Sequence, residues 1–230
     1  YAAHEGRRLL GGRKVAVAES AAHLEGIFEG LGYGAQFMVQ EQIPGGDDRL
    51  LGYLGLWDEG AEKIWFTKRK KRQSPPRFGD GSAQVGERND DIADLSRRLL
   101  SAFDYHGLVG VEYKHDPRDG TYRLMEINAR TVSCLQLAIA SGADLPWLAY
   151  RMVTDGPETI HQPRIQDGRT YVHETWDIKA FIALRREGKL RAADWLKDYL
   201  MPDTRALWAW DDPIPLVTTL RSSFGKRRRR

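Results

Sequence analysis

The most constraining feature of this sequence is the stretch at residues 122–130, Tyr-Arg-Leu-Met-Glu-Ile-Asn-Ala-Arg. Its alternation predicts a β-strand, and side chains two positions apart on a strand lie on the same face. Glu126 and Asn128 are therefore expected to project together, and a carboxylate beside an amide oxygen suits a hard divalent cation. Arg130, at the same parity, adds a guanidinium suited to a phosphate or a carboxylate.

A second strand-like run precedes this stretch at residues 108–114, and a loop rich in turn-forming residues at 115–120 separates the two. Antiparallel pairing across the loop would bring Glu112 level with Glu126 and Asn128. Three oxygen ligands could then hold one or two Mg2+ ions and leave positions open for phosphate oxygens. The alternative is a solvated strand face, since alternation alone places such residues on many surface strands.

Periodicity and turn residues predict the remaining elements. In the stretch at 122–130, Leu124, or its neighbour Met125, and Ile127 would face a core. Strands are predicted at residues 14–18, 36–43, 50–57, 62–70 and 169–174, and helices after the capping residues Ser20 and Asn89 and at 133–141, 145–153, 178–187 and 192–200.

The composition, with 41% hydrophobic and 29% charged residues over 230 positions, is typical of a globular protein of one domain or two associated subdomains. The single Cys134 excludes an internal disulfide framework and favours a reducing compartment. No apolar run is long enough to span a bilayer, so we expect a cytoplasmic protein without a membrane partner. Because the chain begins with Tyr1 inside what resembles a domain, we also expect that an N-terminal part is missing.

Two basic segments raise the alternative of nucleic-acid binding, residues 68–72 and the terminal run 226–230. The terminal run holds five of the 35 Lys and Arg residues, which leaves 30 basic residues against 32 acidic ones. This near-neutral body disfavours a nucleic-acid partner, and the tail is interpreted as a solvated extension. Alternation places Lys68, Lys70 and Arg72 on a buried side of their strand, and this placement suits a pocket better than a flat nucleic-acid-binding surface. Strand parity often breaks near a loop, however.

Several common catalytic and nucleotide-binding motifs are absent from the sequence. The histidines lack H-E-x-x-H spacing, and neither a G-x-S-x-G elbow, a phosphate-binding loop nor a dinucleotide fingerprint occurs. Nucleotide binding would therefore require another architecture.

The order of elements resembles the ATP-grasp superfamily, and more narrowly its predicted carboxylate–amine ligases, related to carbamoyl-phosphate synthase large chain and D-aspartate ligase. The similarity covers residues 14–156. It includes a lysine on a strand at the start of this range and the stretch at 122–130. It implies an α+β ATP-grasp fold, with mostly antiparallel sheets flanked by helices and the nucleotide held between two subdomains. Residues 1–156 would form an N-terminally incomplete ATP-grasp domain, 157–225 a C-terminal helical extension and 226–230 a basic tail.

The resemblance also implies a role for each residue that matches the family pattern. The nucleotide-binding roles fall to Lys14 for the phosphates, to Gln40 with the backbone of Glu41 and Ile43 for adenine, and to Asp47, or Asp48 in its place, for the ribose. For the reaction, the resemblance implies that Lys70 and Arg72 neutralise the terminal phosphate or the acyl phosphate. It implies that Glu112, Glu126 and Asn128 are Mg2+ ligands and that Arg130 orients the phosphoryl group or the acceptor carboxylate.

The implied activity is an ATP- and Mg2+-dependent ligation of a small carboxylate to an amine through an acyl phosphate, giving an amide or peptide bond. The family usually has an N-terminal domain, a further phosphate-binding lysine and a glycine-rich flap before the position of Lys14, and this chain has no room for them. The alternatives are a non-catalytic or truncated ATP-grasp scaffold and a nucleic-acid-binding module. Within the enzymes, a carboxylase or a kinase-like transfer would share the nucleotide site, and a homo-oligomer is left open.

Overall fold

The computed structural model describes residues 15–31 and 38–225 and divides into two units, Tyr1–Pro44 and Gly45–Arg230. The first unit contains helix α1 (Ala21–Leu31), where the Ser20 hydroxyl accepts a hydrogen bond from the His23 amide at 3.1 Å and confirms the predicted cap. The predicted strands at 14–18 and 36–43 are wrong where the structure describes them, because residues 15–18 and 38–43 have no regular secondary structure. A strand needs a hydrogen-bonded partner, and alternation alone does not supply one.

The second unit is built around a seven-stranded sheet in the described part of the chain, with strand order β5-β4-β1-β2-β3-β6-β7. The strands are β1 (Leu50–Asp58), β2 (Ala61–Ser74), β3 (Asp80–Gly86), β4 (Gly107–His115), β5 (Tyr122–Asn128), β6 (Thr170–Val172) and β7 (Thr204–Arg205). Every pair is antiparallel except β6 with β7. Helices and a mostly antiparallel sheet confirm the predicted α+β fold class.

The helices of the second unit are α2 (Asp90–Ser101), α3 (Leu135–Ala140), α4 (Leu145–Asp155), α5 (Glu174–Arg186), α6 (Ala192–Leu200) and α7 (Ile214–Gly225). Helix α2 begins at the predicted cap, because the Asn89 side chain accepts a hydrogen bond from the Ile92 amide at 3.0 Å. An N-cap of this kind stabilises a helix by about 0.5–2 kcal/mol relative to alanine.

Helices pack on both faces of the sheet and give two hydrophobic cores, because successive strand residues point to opposite sides. On one face, the cluster includes Leu54, Leu56, Ile64 and Phe66 from β1 and β2 with Leu137, Ala138, Leu145 and Met152 from α3 and α4. On the other, it includes Leu51, Tyr53, Trp57, Val109, Val111 and Tyr113 with Ile92, Ala93 and Leu100 from α2. Each fully buried aliphatic side chain contributes about 1.5–3 kcal/mol.

Strand β5 lies at the edge of the sheet, next to β4 alone. The prediction that Leu124 and Ile127 face a core is wrong, because these residues are 48% and 42% exposed, while Met125, the alternative to Leu124, is half-buried. They pair with the buried Tyr113 and Val111 of β4 but have no strand on their other side. The edge position leaves β5 open to solvent, and its register on β4 shifts by one residue between Glu112 and Tyr113.

Residues 157–225 contribute helices α5 to α7 and also strands β6 and β7, which extend the sheet beyond β3. The strand predicted at 169–174 and the helices predicted at 178–187 and 192–200 are confirmed by β6, α5 and α6. The predicted domain boundary after residue 156 stays a prediction. Structurally, this part of the chain shares the sheet with the strands before it.

Candidate functional site

One row of paired residues crosses five neighbouring strands on one face of the sheet. From β5 to β3 the row consists of Glu126, Glu112, Gly52, Lys68 and Gly86. Paired residues of antiparallel strands lie on the same face, so the two carboxylates are direct cross-strand neighbours. The predicted register of Glu112 with Glu126 is therefore confirmed.

Asn128 completes the predicted acidic group. It lies two residues after Glu126 on β5, hence on the same face, and its Nδ2 donates a hydrogen bond to Glu126 Oε1 at 2.8 Å. Two carboxylates directly opposite each other repel, and a bound cation would relieve that repulsion. A half-turn of the Asn128 amide would present its oxygen in place of its nitrogen. The residue types thus fit Mg2+, while the ligand roles stay predictions.

A buried ion pair joins the acidic group to β2. Lys70 Nζ donates to Glu112 Oε2 at 2.7 Å, and the two side chains are 7% and 20% exposed. Burial raises the pKa of Glu112, but the ammonium groups of Lys68 and Lys70 outweigh it and hold the pKa below its ordinary value. Glu112 is then ionised at neutral pH. Its pairing stabilises the fold above the unfolded-state pKa, and this contribution is lost as the pH falls through the lower folded-state pKa.

Lys68 is a second buried cation on this face, and it had no assigned role in the sequence analysis. Its Nζ donates to Gln84 Oε1 at 2.7 Å, and the residue is 3% exposed. Its chain end occupies the space left by Gly52, because a Cβ there would lie 2.9 Å from both Cε and Nζ of Lys68. Burial lowers the pKa of Lys68, but Cys134 and Glu112 are among the groups that raise it, and the net shift is upward. The sequence feature that could have indicated this role is the position of Lys68 two residues before Lys70, which places both side chains on the same face of the strand.

Arg72, predicted to contact phosphate, is bonded to carboxylates of the C-terminal part. Its Nε and Nη2 donate to Asp177 at 2.9 and 3.0 Å, and its Nη1 donates to Asp198 at 2.7 Å. The register between β2 and β3 shifts between Lys70 and Arg72, so the simple alternation predicted for these cations is interrupted. Three of the five guanidinium N–H donors are used in this way. The phosphate role of Arg72 stays a prediction.

The basic strand is not an exposed stripe. Lys68, Lys70 and Arg72 are 3%, 6% and 5% exposed, and each has a side-chain partner. Nucleic-acid binding through phosphates would need such cations at the surface. The burial of these three side chains therefore counts against that alternative for residues 68–72.

The other predicted residues lie in different surroundings. Asp47 Oδ1 accepts hydrogen bonds from Gln73 Nε2 at 2.9 Å and from the Arg77 amide at 3.0 Å, and its Oδ2 accepts one from the Gln73 amide at 2.9 Å. It thereby fixes the turn that joins β2 to β3. Arg130 is exposed after the end of β5, and its Nη1 donates to the Thr131 carbonyl at 2.8 Å.

The predicted adenine-binding residues belong to the first unit. Gln40 and Glu41 are exposed and Ile43 is buried, all in an irregular segment. Lys14 lies outside the described residues. The nucleotide-binding roles of these four residues stay predictions.

Residues 15–31 and 38–225 contain no group of three or more His, Cys, Asp and Glu side chains placed to hold a metal ion. The predicted set has two carboxylates and one amide, so any cation there would depend on further ligands such as phosphate oxygens. The described residues also contain no helix long and apolar enough to cross a membrane.

Comparisons with known proteins agree with the order of elements. A family model described as ATP-grasp in the biosynthetic pathway with Ter operon matches residues 56–175, which include strands β2 to β6. D-aspartate ligase of Enterococcus faecium is 28% identical over 102 residues, which cover 43% of this chain and 24% of that protein. The chain thus spans about a quarter of the length of this curated relative.

Solved structures give weaker likenesses. Pyruvate carboxylase T882A of Rhizobium etli with acetyl coenzyme A matches with a TM-score of 0.43 and 18% identity over 53% of this chain and 13% of that chain. The phosphoribosylaminoimidazole carboxylase ATPase subunit of Aquifex aeolicus matches with a TM-score of 0.40 and 16% identity over 48% of this chain and 35% of that chain. At these values the structural likeness supports no functional assignment.

Proposed function

The chain belongs to the ATP-grasp family of the biosynthetic pathway with the Ter operon, and from this premise we propose that the protein is an ATP- and Mg2+-dependent carboxylate–amine ligase. The observation that carries the proposal is the direct pairing of Glu112 with Glu126, with Asn128 on the same face and Lys70 bonded to Glu112. The likeness to D-aspartate ligase favours an amino acid as one of the two substrates.

In this proposal Glu112, Glu126 and Asn128 hold Mg2+ between β4 and β5. When bound, the ion would offset the charge that develops on the transferred phosphoryl group. The register of the two strands brings both glutamates to one face before any ligand arrives, so that little reorganisation of the bound site is needed during the reaction itself. The low pKa of Glu112 keeps it ionised for this task.

The cations on the same face supply the complementary charge. Phosphoryl transfer requires positioning and charge neutralisation more than covalent help from the protein. In this proposal Lys70, which is bonded to Glu112, contacts phosphate oxygens, and Lys68, bonded to Gln84, adds a second positive charge on the same face. Arg130, exposed at the open end of β5, orients the phosphoryl group or the acceptor carboxylate. Arg72 has a phosphate-binding role only if its remaining donors reach the ligand.

The remaining nucleotide contacts are part of the same proposal. Lys14 binds the phosphates, Gln40, Glu41 and Ile43 bind adenine, and Asp47 or Asp48 binds the ribose. The carboxylate of Asp47 already accepts three hydrogen bonds within the β2–β3 turn region.

The reaction has two steps. A substrate carboxylate oxygen attacks the γ-phosphorus of ATP, the bond between this phosphorus and the bridging oxygen breaks, and ADP leaves. The amine nitrogen of the second substrate then attacks the acyl carbon, the bond from that carbon to the phosphate oxygen breaks, and phosphate leaves. The product is an amide or a peptide bond.

We predict that the full-length protein releases phosphate from Mg-ATP at least about 10-fold faster with one pair of acid and amine than with ATP alone, since substrate binding supplies the positioning. The test is a panel of amino acids and small carboxylates, with the product identified by mass. An acid labelled with 18O in its carboxylate should transfer one 18O atom to the released phosphate.

Several outcomes would count against this proposal. Release of AMP and diphosphate would show that the intermediate is an acyl adenylate and not an acyl phosphate. Tight binding of Mg-ATP without turnover across the whole panel would favour the non-catalytic scaffold. A Glu112→Gln, Glu126→Gln double variant supplies the background rate.

A further inference from the structure

The ion pair between Lys70 and Glu112 occupies one of the two carboxylate oxygens that Glu112 could offer to the proposed metal ion. Glu112 Oε2 accepts from Lys70 Nζ at 2.7 Å, and Lys70 is almost fully buried. The neighbouring acidic residue Glu126 is bonded to Asn128 instead. Without ligands, the carboxylate of Glu112 is therefore already paired with a cation of the protein itself.

We propose that Lys70 is an internal counter-cation which holds Glu112 closed to a divalent cation until the phosphates of the nucleotide take over its ammonium group. The inference rests on the proposed function, and it adds that metal and nucleotide bind cooperatively through an exchange of partners. Before binding, Lys70 pairs with Glu112. Afterwards, Lys70 pairs with phosphate and Glu112 with the metal.

The cost of unpaired buried charge gives the physical reason. Breaking a buried ion pair without replacing either partner leaves an uncompensated charge and is strongly unfavourable. A metal ion that displaced Lys70 would strand the ammonium group, and a phosphate that drew Lys70 away would strand Glu112. Each half of the exchange is therefore unfavourable alone, and the two halves together restore every pairing.

The surroundings identify Lys70, and not Lys68, as the exchangeable group. Lys68 Nζ is held by Gln84 Oε1 at 2.7 Å, and its chain end lies over Gly52. Gln84 is the cross-strand partner of Lys70, but its amide oxygen is taken by Lys68. Lys70 is thus hydrogen-bonded directly to the carboxylate, while Lys68 acts on Glu112 through its charge and keeps its hydrogen bond to a neutral amide.

The exchange predicts a particular response to removing the charge. Lys70→Met should tighten binding of Mn2+ in the absence of nucleotide by about tenfold, within the range usual for coupled sites. The same variant should bind nucleotide more weakly without a divalent cation. It should also reduce the factor by which Mn2+ and nucleotide strengthen each other's binding. A lysine that merely supports the fold would not shift the two affinities in opposite directions.

The measurement is Mn2+ binding to the full-length protein, followed by electron paramagnetic resonance, and binding of a fluorescent ADP analogue with and without Mn2+. The matched control is Lys71→Met, which removes the same charge from the next residue, whose ammonium group pairs with Asp198. Lys70→Arg should restore the weak binding of Mn2+ alone. If Lys70→Met does not fold, Lys70→Gln removes the charge and keeps a hydrogen-bond donor.

The outcomes separate this inference from the proposed function. Unchanged or weaker Mn2+ affinity in Lys70→Met relative to Lys71→Met would overturn the exchange, while Mn2+ binding that depends on Glu126 would leave the proposed metal site standing. If the wild-type protein bound no Mn2+ even with nucleotide, the metal site and the exchange would both fall.

Discussion

Glu126→Gln is expected to lower Mg2+-dependent ATP turnover of the full-length protein by at least about 100-fold, the usual effect of losing one preorganised electrostatic group. The substitution keeps the shape of the side chain but removes the charge that would bind the metal. Glu126 is exposed on the edge strand β5, and a glutamine there can still accept the hydrogen bond from Asn128. The loss should therefore appear in turnover and not in folding.

Steady-state phosphate release over a range of Mg2+ concentrations provides the measurement, and thermal unfolding shows whether the fold is intact. Glu158→Gln is the matched control, since this exposed glutamate lies on the turn Pro157–Thr159 and not on β4 or β5. It should retain the wild-type rate. If Glu126→Gln also retained that rate, the ligand role of Glu126 would be refuted.

Asp177→Ala is expected to lower the free energy of unfolding by about 3–5 kcal/mol, the cost of removing one partner of a buried ion pair. The carboxylate is 0% exposed and accepts hydrogen bonds from Arg72 Nε and Nη2, from Ser82 Oγ at 2.9 Å and from Trp195 Nε1 at 2.8 Å. It thus joins β2 and β3 to α5 and α6. Without it, the buried Arg72 keeps only its bond to Asp198.

Urea denaturation of the purified protein gives the free energy of unfolding. Asp155→Ala is the control, because Asp155 forms an exposed pair with Arg151 four residues earlier, and such pairs contribute about 0.3–0.5 kcal/mol. An Arg72→Met, Asp177→Ala double variant should be less destabilised than the sum of the two single variants, since it removes both charges. A loss for Asp177→Ala as small as that for Asp155→Ala would contradict the proposed anchoring role.

The parts of the fold that could be predicted from the sequence depend on neighbours along the chain. The cap at Asn89 acts within one helical turn, and the short loop between β4 and β5 brings the two strands together as an antiparallel pair. The pairing of Glu112 with Glu126 also depends on a one-residue register shift between Glu112 and Tyr113 that the loop does not set. Alternation also placed Lys68 and Lys70 on a buried face. In each case the decisive contacts lie on the same or adjacent elements.

What could not be predicted depends on distant partners. The pairing of Arg72 with Asp177 requires a residue 105 positions away. Alternation would place Leu124 on the same face as Glu126, but the register shift pairs Leu124 with Tyr113 on the opposite face. Whether another layer covers that face is decided elsewhere in the chain. The short strand β7 (Thr204–Arg205) has only two residues and carries no periodicity of its own.

The pairing of Lys70 with Glu112 shows the same limit at the site. Both residues were predicted to take part in the reaction, Lys70 with phosphate and Glu112 with metal, yet their direct contact follows from the position of β1 between β2 and β4. Gly52 of β1 separates the two strands without placing a side chain between them. The sheet order therefore turns two separate predictions into one coupled pair.

The most direct test of the metal site is anomalous diffraction from crystals of the full-length protein grown with Mn2+ and a non-hydrolysable ATP analogue. We expect an anomalous peak between β4 and β5, about 2–2.5 Å from oxygen atoms of Glu112, Glu126 and Asn128 and from the phosphates. Clear density for the nucleotide with Mn2+ bound elsewhere, and with Lys70 still paired to Glu112, would contradict it.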